Sequence, residues 1–397
     1  MRRERNMDSG IFPPPLVLRG RAGVGAKRIC FVTGTRAEFG LMRSALEAIG
    51  PRQLRIVVTG MHLDPQRGKT IDRLRKENWR IDAVVDWAQS GRAAAVGRAI
   101  WQLAKVFERI KPHIVLVVGD RVEAFAAAAA AHLCDIAVAH VHGGDRALGQ
   151  MDDALRHAIS KLAHVHFPAT SQSAQRLAKM GEDRWRIHRV GSPAIDGIQE
   201  IAAGAASIRR QFPGLKPRRY ALVALHPIDA DESVEFRCAS LVAGALRKSA
   251  VERIVAIYPN NDPGAGGIVR CWEKLGRDRR FIVRRDLPRP VFLGLLRDAA
   301  MLVGNSSSGI IEAGSFRTPV IDIGPRQLGR QRSRDVLNVP YRQAAIAAAV
   351  AQIWNDGRPR RRKHASPYAG RGAGAAIARI LKGLVIDQRL LRKMISY

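Results

Sequence analysis

The sequence contains no long uninterrupted apolar stretch. None of its hydrophobic runs approaches the roughly 20 residues that a membrane-crossing helix needs. The first 27 residues carry arginines, and the short apolar stretch among them is broken by Pro13, Pro14 and Pro15. A secretory signal has a continuous apolar centre, which this segment lacks. We therefore predict no membrane partner, a disordered extension over residues 1–27 and a cytoplasmic protein.

Cysteine is also scarce. The chain has four cysteines, Cys30, Cys134, Cys238 and Cys271, which are widely spaced and include no C-x-x-C pair. Disulfide frameworks and structural zinc sites both rely on cysteines at defined spacings. We therefore predict neither of these features, and a reducing compartment fits the composition.

Acidic residues are few: 35 Asp and Glu stand against 66 Lys and Arg, which gives a formal net charge of +31 at pH 7. Clustered basic residues can neutralise nucleic-acid phosphates, so a nucleic-acid binder is one interpretation. The excess is mostly arginine spread along the chain, however, and no basic helix interleaved with aromatics is present. We favour an arginine-rich solvated surface with an anionic small-molecule substrate, and we predict no nucleic-acid partner.

Short apolar runs alternate with segments of helical period along the whole chain. A chain of 397 residues exceeds the size of a single core, and such alternation is typical of parallel sheets. We predict an α/β protein of two doubly wound Rossmann-like domains facing a cleft, since ligands bind beyond the carboxyl ends of such strands. Pro193, Gly204 and residues 213–217 interrupt the alternation, so we place the domains at 28–205 and 206–365, with a C-terminal helical segment over 366–397.

The segment GNSSSGIIEA, residues 304–313, joins a candidate buried strand to a helix. Helix N-termini present unpaired N–H groups, and the hydroxyls of Ser306 and Ser307 add donors. Glu312 suits the acceptance of hydrogen bonds from a ribose diol. We therefore predict an anion site, although a simple serine N-cap remains the alternative. Arg326, after the next strand, suits a phosphate, although a surface position for it also remains open.

Carboxylates and a histidine follow other candidate strands. Asp120 ends one strand and either caps the next helix or belongs to a site. Asp145 follows the next strand, and Asp152 shares a helical face with Arg156. Carboxylates beside a strand-end loop suit acid/base chemistry, but acidic residues also favour a first helical turn. His226 ends the first strand of the second half and either contacts the anion or packs in the core.

His140 and His142 lie two residues apart on one candidate strand and its end. Histidines at this spacing can ligate a metal ion. Because no carboxylate or thiolate accompanies them at a fixed helical spacing, we predict no metal site. The glycines that follow His142 leave room for a substrate instead.

Ten segments carry a family resemblance when they are taken together in chain order: FVTGTRAEFGLMR (31–43), VTGMHLDPQRGKT (58–70), VVGDRVE (117–123), HVHGGD (140–145), DDALRHAISKLAH (152–164), GEDRWRIHRVGSP (181–193), ALHP (224–227), YPNND (258–262), GNSSSGIIEA (304–313) and IGPRQLGR (323–330). The combination resembles the hydrolysing UDP-N-acetylglucosamine 2-epimerases of sialic-acid-type sugar synthesis. It implies their fold of two Rossmann domains, which one large class of glycosyltransferases shares.

The resemblance implies a reaction in two steps. UDP leaves C1 of the sugar while the C2 proton is removed, which gives a 2-acetamidoglucal. Water then adds with inverted configuration at C2 and releases N-acetylmannosamine. By their positions in the motifs, Asp120 and Asp152 are implied for acid/base work and Asp145 is the next candidate. Arg156 and His226 are implied to bind or orient the substrate.

The resemblance also implies how the ligand divides between the domains. Arg36, Ser306, Ser307, Glu312 and Arg326 match positions that hold UDP, so the C-terminal domain binds UDP and the N-terminal domain binds the sugar. No redox cofactor is required for this reaction. The Rossmann shape alone does not imply one either. The expected partner is a UDP-amino sugar, and homo-oligomers are common for this resemblance.

Two alternatives remain open at this stage. Related enzymes that act on UDP-2,4-diacetamido-trideoxy sugars, on the route to legionaminic acid, share nearly all these motifs. The segment HGGD also departs from the HGGE that related sequences often have, which makes Asp145 one methylene shorter. A glycosyltransferase on the same fold is the remaining alternative.

Overall fold

The computed structural model describes most of the chain. The described residues are 26–65, 69–87, 92–146, 152–260, 262–361, 363–370 and 372–396, without the side chains of residues 92 and 152. The extension predicted for residues 1–27 therefore falls almost wholly outside the described residues, and so does the side chain of Asp152.

The first half of the described chain builds a parallel sheet of six strands: β1 (Ile29–Thr33), β2 (Leu54–Thr59), β3 (Ala83–Val85), β4 (Ile114–Val118), β5 (Ala137–Val141) and β6 (Val165–Phe167). Their order across the sheet is β3-β2-β1-β4-β5-β6. This is the order of the Rossmann fold, in which the direction of winding reverses between β1 and β4. All five residues of β4, IVLVV, are buried, as expected for strands that helices cover on both faces.

Helices cover this sheet: α1 (Arg36–Ile49), α2 (Ile71–Lys76), α3 (Arg92–Ile110), α4 (Val122–Leu133), α5 (Asp152–Leu162) and α6 (Ser171–Lys179). A capping box fixes the start of α1: the Thr35 side chain accepts from the Glu38 N–H, and the Glu38 carboxylate accepts from the Thr35 N–H. The helix therefore begins directly after β1, at the carboxyl edge of the sheet.

The second half repeats the arrangement with β7 (Tyr220–Ala224), β8 (Arg253–Ile257), β9 (Phe281–Arg284), β10 (Met301–Gly304), β11 (Val320–Ile323) and β12 (Val336–Val339). All pairings are parallel and the order is β12-β11-β10-β7-β8-β9. Counted from β7, this is the same order as in the first sheet. The reversal of winding here lies between β7 and β10.

The remaining helices are α7 (Ile198–Ile201), α8 (Ala205–Gln211), α9 (Glu232–Arg247), α10 (Ala265–Leu275), α11 (Arg289–Asp298), α12 (Ser307–Ile311), α13 (Gln343–Trp354), α14 (Ala373–Gly383) and α15 (Gln388–Leu391). Among the described residues, no helix combines the length and apolar character that crossing a bilayer requires.

The predicted α/β fold of two doubly wound sheets is confirmed. The elements that were not predicted individually from the sequence are β12 and the helices α2, α6, α7, α8 and α13. Only Val336 of β12 is buried, since it is an edge strand, and α6 buries only Ser173 and Leu177. Neither β12 nor α6 has the run or period of apolar residues that reveals the predicted strands and helices. The domain bounds at residues 205 and 365 remain predictions.

The chain passes between the two halves twice, near residues 191 and 370. The two passages touch, because a Cβ atom on Gly191 would lie 2.9 Å from the Gly370 Cα. Gly191 also has φ of +87°, which favours glycine. After the second passage α14 packs on α1, so the C-terminal segment covers the first half.

Gly374 provides a test of this packing, because a Cβ atom there would lie 2.5 Å from the Ala45 backbone nitrogen. Replacing a helical glycine by alanine usually stabilises a protein by roughly 0.5–1 kcal/mol. We expect Gly374→Ala instead to lower the free energy of unfolding by about 1–3 kcal/mol through overpacking, measured by urea denaturation. Gly383→Ala, where no atom lies within 4 Å, is the control and should cost nothing. Equal effects of both changes would contradict the packing.

Candidate active site

The carboxyl edges of the two sheets face one another across a cleft. Arg36 follows β1 and Asp120 follows β4, so both lie where the winding of the first sheet reverses. His226 follows β7 and Ser306 follows β10, at the corresponding place in the second sheet. Open α/β sheets bind ligands at these reversal points. Four of the predicted site residues therefore lie where the fold itself predicts a site.

Two cavities occupy the cleft. The second-sheet cavity has a volume of about 420 Å³, and its lining includes the predicted residues Arg36, His226, Ser306, Ser307, Glu312 and Arg326. The first-sheet cavity has a volume of about 280 Å³, and its lining includes the predicted residues Asp120, Arg156, Ser307 and Arg326. Because Ser307, Ile311 and Arg326 line both, the cavities adjoin and one elongated ligand can span them.

Ser306 is the N-cap of α12, and its hydroxyl accepts from the Ser308 N–H at 3.4 Å. The simple N-cap interpretation is thus part of the local structure. The helix has only five residues, so its dipole is small. The donors at this turn are therefore mainly the hydroxyls and the neighbouring arginine, and the helix adds little.

Asn305 holds the second-sheet side together and was not predicted. It is fully buried. Its side chain accepts from the His226 N–H and donates to the His226 carbonyl, both at 2.7 Å. Its own carbonyl accepts from Arg326 at 3.2 Å and from Gln327 at 2.9 Å. One neutral residue, through its side-chain amide and its backbone carbonyl, thus links the loops after β7, β10 and β11.

His226 faces the cleft as a neutral donor. Its Nδ1 accepts from the Asn260 N–H at 3.0 Å, which places the ring proton on Nε2. Burial and the charge of Arg326 lower the pKa of His226 to about 3. The imidazole therefore stays neutral near pH 7 and offers one N–H to the cavity.

Ion pairs from both halves bound the second-sheet cavity. Arg36 donates to both carboxylate oxygens of Asp286 at 2.8 Å, which joins the first half to the second. Arg289 pairs with Glu312 at 2.6 Å. Glu312 is buried, so this pairing offsets a negative charge that would otherwise repel an anionic ligand.

On the first-sheet side, Arg156 of α5 forms an ion pair with Asp120. Arg156 is buried and also donates to the His142 carbonyl at 3.2 Å. Burial and the charges of Arg330 and Arg176 lower the pKa of Arg156. The Asp120 carboxylate is about a fifth exposed and lines the cavity, so its orientation is set by a buried arginine while one side remains open.

Asp145 lies behind the cavity wall rather than in the lining. It accepts from Ser173 at 2.5 Å, and its other oxygen lies 3.3 Å from Nδ1 of His142. His142 lines the cavity and its Nε2 lies 2.9 Å from the Ser192 hydroxyl. Burial raises the pKa of Asp145, but the contacts with His142 and Ser173 and the charge of Arg330 outweigh it and lower that pKa. Asp145 therefore contacts the cavity indirectly, through its hydrogen bond to the cavity-lining His142.

Glu38, Arg121 and Glu123 form a charged group that was not predicted. Glu38 and Arg121 line the first-sheet cavity, and the Arg121 Nε donates to Glu123 at 3.3 Å. Burial and the charge of Glu123 raise the pKa of Glu38 to about 7. The pattern T-x-x-E at 35–38 already explains Glu38 as a capping residue, so the sequence gives no separate signal for a place in the cavity.

His140, weighed earlier as a metal ligand, is buried between protein partners. Its ring contacts the Gly119 carbonyl at 2.7 Å and the Ser160 hydroxyl at 3.1 Å. Burial lowers the pKa of His140 to about 3. Both ring nitrogens of His140 are therefore engaged in hydrogen bonds within the protein. The described residues hold no group of three or more His, Cys, Asp or Glu that could bind a metal ion.

Comparisons with known proteins agree with the motif resemblance. The family model described as UDP-N-acetylglucosamine 2-epimerase matches residues 44–382. The chain is 35% identical over 381 residues to the Legionella pneumophila UDP-N,N'-diacetylbacillosamine 2-epimerase (hydrolyzing), covering 94% of this chain and 100% of that protein. It is 34% identical over 337 residues to the Neisseria meningitidis UDP-N-acetylglucosamine 2-epimerase, covering 84% and 89%.

A solved structure of S. aureus MnaA with UDP superposes with a TM-score of 0.76 at 20% identity. The match covers 93% of this chain and 99% of that one. At this identity the likeness shows a shared fold.

Glu38 generates a prediction about stability. Its folded-state pKa of about 7 exceeds the ordinary 4.5, so the unfolded chain releases this proton first. The stability that protonated Glu38 contributes is therefore complete below pH 4.5 and is lost as the pH rises through 7. We expect the free energy of unfolding of Glu38→Gln, taken relative to that of the parent, to be higher at pH 8 than at pH 5. Urea unfolding of both proteins at the two pH values measures this difference.

The control for this change is Glu47→Gln on the same helix. Glu47 is exposed and 3.8 Å from Arg43. Its replacement should leave the pH dependence of unfolding unchanged. If Glu38→Gln and the parent showed the same pH dependence, the account of Glu38 would be wrong.

Proposed function

The chain belongs to the UDP-N-acetylglucosamine 2-epimerase family, and we propose that it is a hydrolysing 2-epimerase of a UDP-linked 2-acetamido sugar. The observation that carries this proposal is the continuity of the two cavities. One is lined by donors suited to a diphosphate, and the other by an arginine-bound carboxylate suited to proton transfer. The hydrolysing activity in the name of the Legionella relative supports the proposal.

We assign the second-sheet cavity to the UDP moiety. The hydroxyls of Ser306 and Ser307, the Arg326 guanidinium and the Nε2–H of His226 are donors for the diphosphate. Glu312 is assigned to the ribose diol. Arg36 is assigned to the nucleoside side of the same cavity, where its pairing with Asp286 fixes its position.

We assign the first-sheet cavity to the sugar. Asp120 and Asp152 are the proposed acid/base residues, because Asp120 lines this cavity and Asp152 begins α5 on the same edge of the sheet. Asp145 is the third candidate and contacts the cavity through His142. Arg156 orients Asp120 and thereby the site of proton transfer.

The proposed chemistry follows from these positions. A carboxylate removes the C2 proton while the C1–O bond breaks and its electron pair leaves with UDP, giving a 2-acetamidoglucal. The donors of the second-sheet cavity stabilise the charge that develops on the leaving diphosphate. Water then adds its hydroxyl to C1, and an acid delivers a proton to the opposite face of C2. The products are UDP and a free sugar of inverted configuration at C2.

Two substrates are candidates. UDP-N-acetylglucosamine is the first, and N-acetylmannosamine would be its product. UDP-N,N'-diacetylbacillosamine is the second, and the relative named for it matches over its whole length. The two sugars differ at C4 and C6, which concerns the first-sheet cavity alone. The UDP assignments are therefore the same for both.

A substrate panel in heavy water tests this proposal. We expect the purified protein to release UDP and a free sugar that carries deuterium at C2, because the C2 proton is removed and replaced from solvent. Mass spectrometry and proton NMR of the product measure this. Turnover of the diacetamido sugar alone would select the second substrate.

Two results of the panel would contradict the proposal. Product without deuterium at C2 would exclude the elimination route. Sugar transfer that requires an acceptor alcohol, with no exchange at C2, would indicate a glycosyltransferase on the same fold.

Replacing the two proposed acid/base residues gives a second prediction. We expect Asp120→Asn and Asp152→Asn each to lower kcat by about 10²- to 10⁴-fold, the usual contribution of general acid–base catalysis. The UDP dissociation constant, measured by calorimetry, should stay within about twofold because UDP occupies the other cavity. Asp135→Asn is the control, since Asp135 is exposed and has φ of +54°, which asparagine tolerates. Near-normal turnover in either variant would refute the assignment of that residue.

A further inference from the structure

The end of the chain returns to the first half and packs beside α5. Leu390 of α15 is 1% exposed and belongs to the core that contains β1 and β4. Ser396 donates its N–H to the Gly181 carbonyl at 3.0 Å. Residues 388–396, the tail, are therefore an integral layer of this half.

Lys393 of the tail caps the C-terminal end of α5. Its ammonium group donates to the carbonyls of Ser160, Lys161 and Ala163 at 3.1, 2.7 and 2.9 Å. The last carbonyls of a helix have no partner within the helix and carry partial negative charge. With a side chain only 7% exposed, Lys393 satisfies three of these acceptors at once.

A buried carboxylate fixes Lys393 in this position. Glu182, whose side chain is fully buried, pairs with Lys393 at 2.6 Å, with Lys161 of α5 at 2.7 Å and with His166 of β6 at 2.9 Å. Burial raises the pKa of Glu182, but the bonds from His166, Lys161 and Lys393 outweigh it and lower that pKa to about 2.

Arg186 ties the tail down independently. Its guanidinium donates to the carbonyls of Leu390 at 2.8 Å and Arg389 at 2.7 Å. It also donates to the carbonyl of His164, at the start of β6, at 3.2 Å. The tail therefore meets α5 with a fixed geometry.

The other end of α5 reaches the cleft. The helix begins at Asp152, and Arg156 one turn later holds Asp120 and the His142 carbonyl. Arg156 and the last helical residue, Leu162, are six residues apart, which is about 9 Å along the axis. The capped end of α5 and the lining of the first-sheet cavity therefore lie at the two ends of one short helix.

We propose that Lys393 is a positioning residue for the first-sheet cavity: by capping α5 it fixes Arg156 and, through Arg156, the Asp120 carboxylate. This inference rests on the proposed function for its effect on turnover. Lys393 touches no ligand and acts only through α5.

Removing the charge separates this role from simple packing. Lys393→Met keeps most of the aliphatic stem, but it leaves three carbonyls without this donor and removes one of the three partners of the buried Glu182. We expect kcat to fall by about 10- to 100-fold, because misplacement of reacting groups by about 1 Å costs that much. The UDP dissociation constant should stay within about twofold, since UDP binds at the other sheet.

Lys27→Met is the matched control. Lys27 also donates to a carbonyl near the end of a helix, that of Lys382 in α14, at 2.6 Å. The residues that line the two cavities include none from α14. The control should lose a helix-end hydrogen bond and keep its kcat.

The pH profile gives a readout that packing alone would not change. Burial lowers the pKa of Lys393 to about 8, with the neighbouring Glu182 opposing and Lys161 and Arg186 reinforcing that shift. His166 and His164 are the other titratable groups on β6 and its entry, and burial lowers the pKa of each. The parent should therefore lose activity above pH 8, and Lys393→Met should lack this alkaline fall.

Amide hydrogen exchange separates the failure of this inference from failure of the proposed function. Exchange along α5 should accelerate in Lys393→Met and not in Lys27→Met, whatever the substrate is. Unchanged kcat in an active parent, or equal losses of kcat and UDP affinity in both variants, would overturn the positioning role. Unchanged exchange along α5 would overturn the capping role.

Discussion

Both sheets are parallel and share one strand order, and the site depends on this constraint. In such a sheet every strand delivers its carboxyl end to the same edge, and the winding reverses at one point along that edge. The reversal lies between β1 and β4 in one half and between β7 and β10 in the other. With the two edges opposed, Arg36, Asp120, His226 and Ser306 meet around adjoining cavities although they are far apart in sequence.

The donors and the carboxylate of the cleft are held in position by buried residues that are not themselves the proposed proton-transfer groups. Asn305 is neutral and fully buried, and it links three loops of the second sheet through bonds to His226, Arg326 and Gln327. On the first-sheet side Arg156 of α5 has the corresponding role, since it joins Asp120 to the His142 backbone. Donors held in advance need no reorganisation when charge develops on a leaving group. The two halves therefore divide the proposed reaction between leaving-group binding and proton transfer.

Local patterns predicted much of this structure. Apolar runs such as IVLVV located most of the strands, and polar residues within three positions of the ends of four strands supplied four of the cavity residues. What the sequence could not show depends on contacts between distant residues. Asp145 looks like a cavity residue in HVHGGD, yet Ser173 and His142 hold it behind the wall. Lys393 contacts a carbonyl 233 residues earlier, and no local period encodes that return.

The central claim is that the bond between C1 and its oxygen breaks, so that UDP departs with that oxygen. Turnover in water labelled with oxygen-18 tests it most directly, with mass spectrometry of both products. The account predicts UDP free of label and a free sugar labelled at C1, because water adds to the glycal. Label in the terminal phosphate of UDP would mean that water attacks phosphorus, and it would contradict the account.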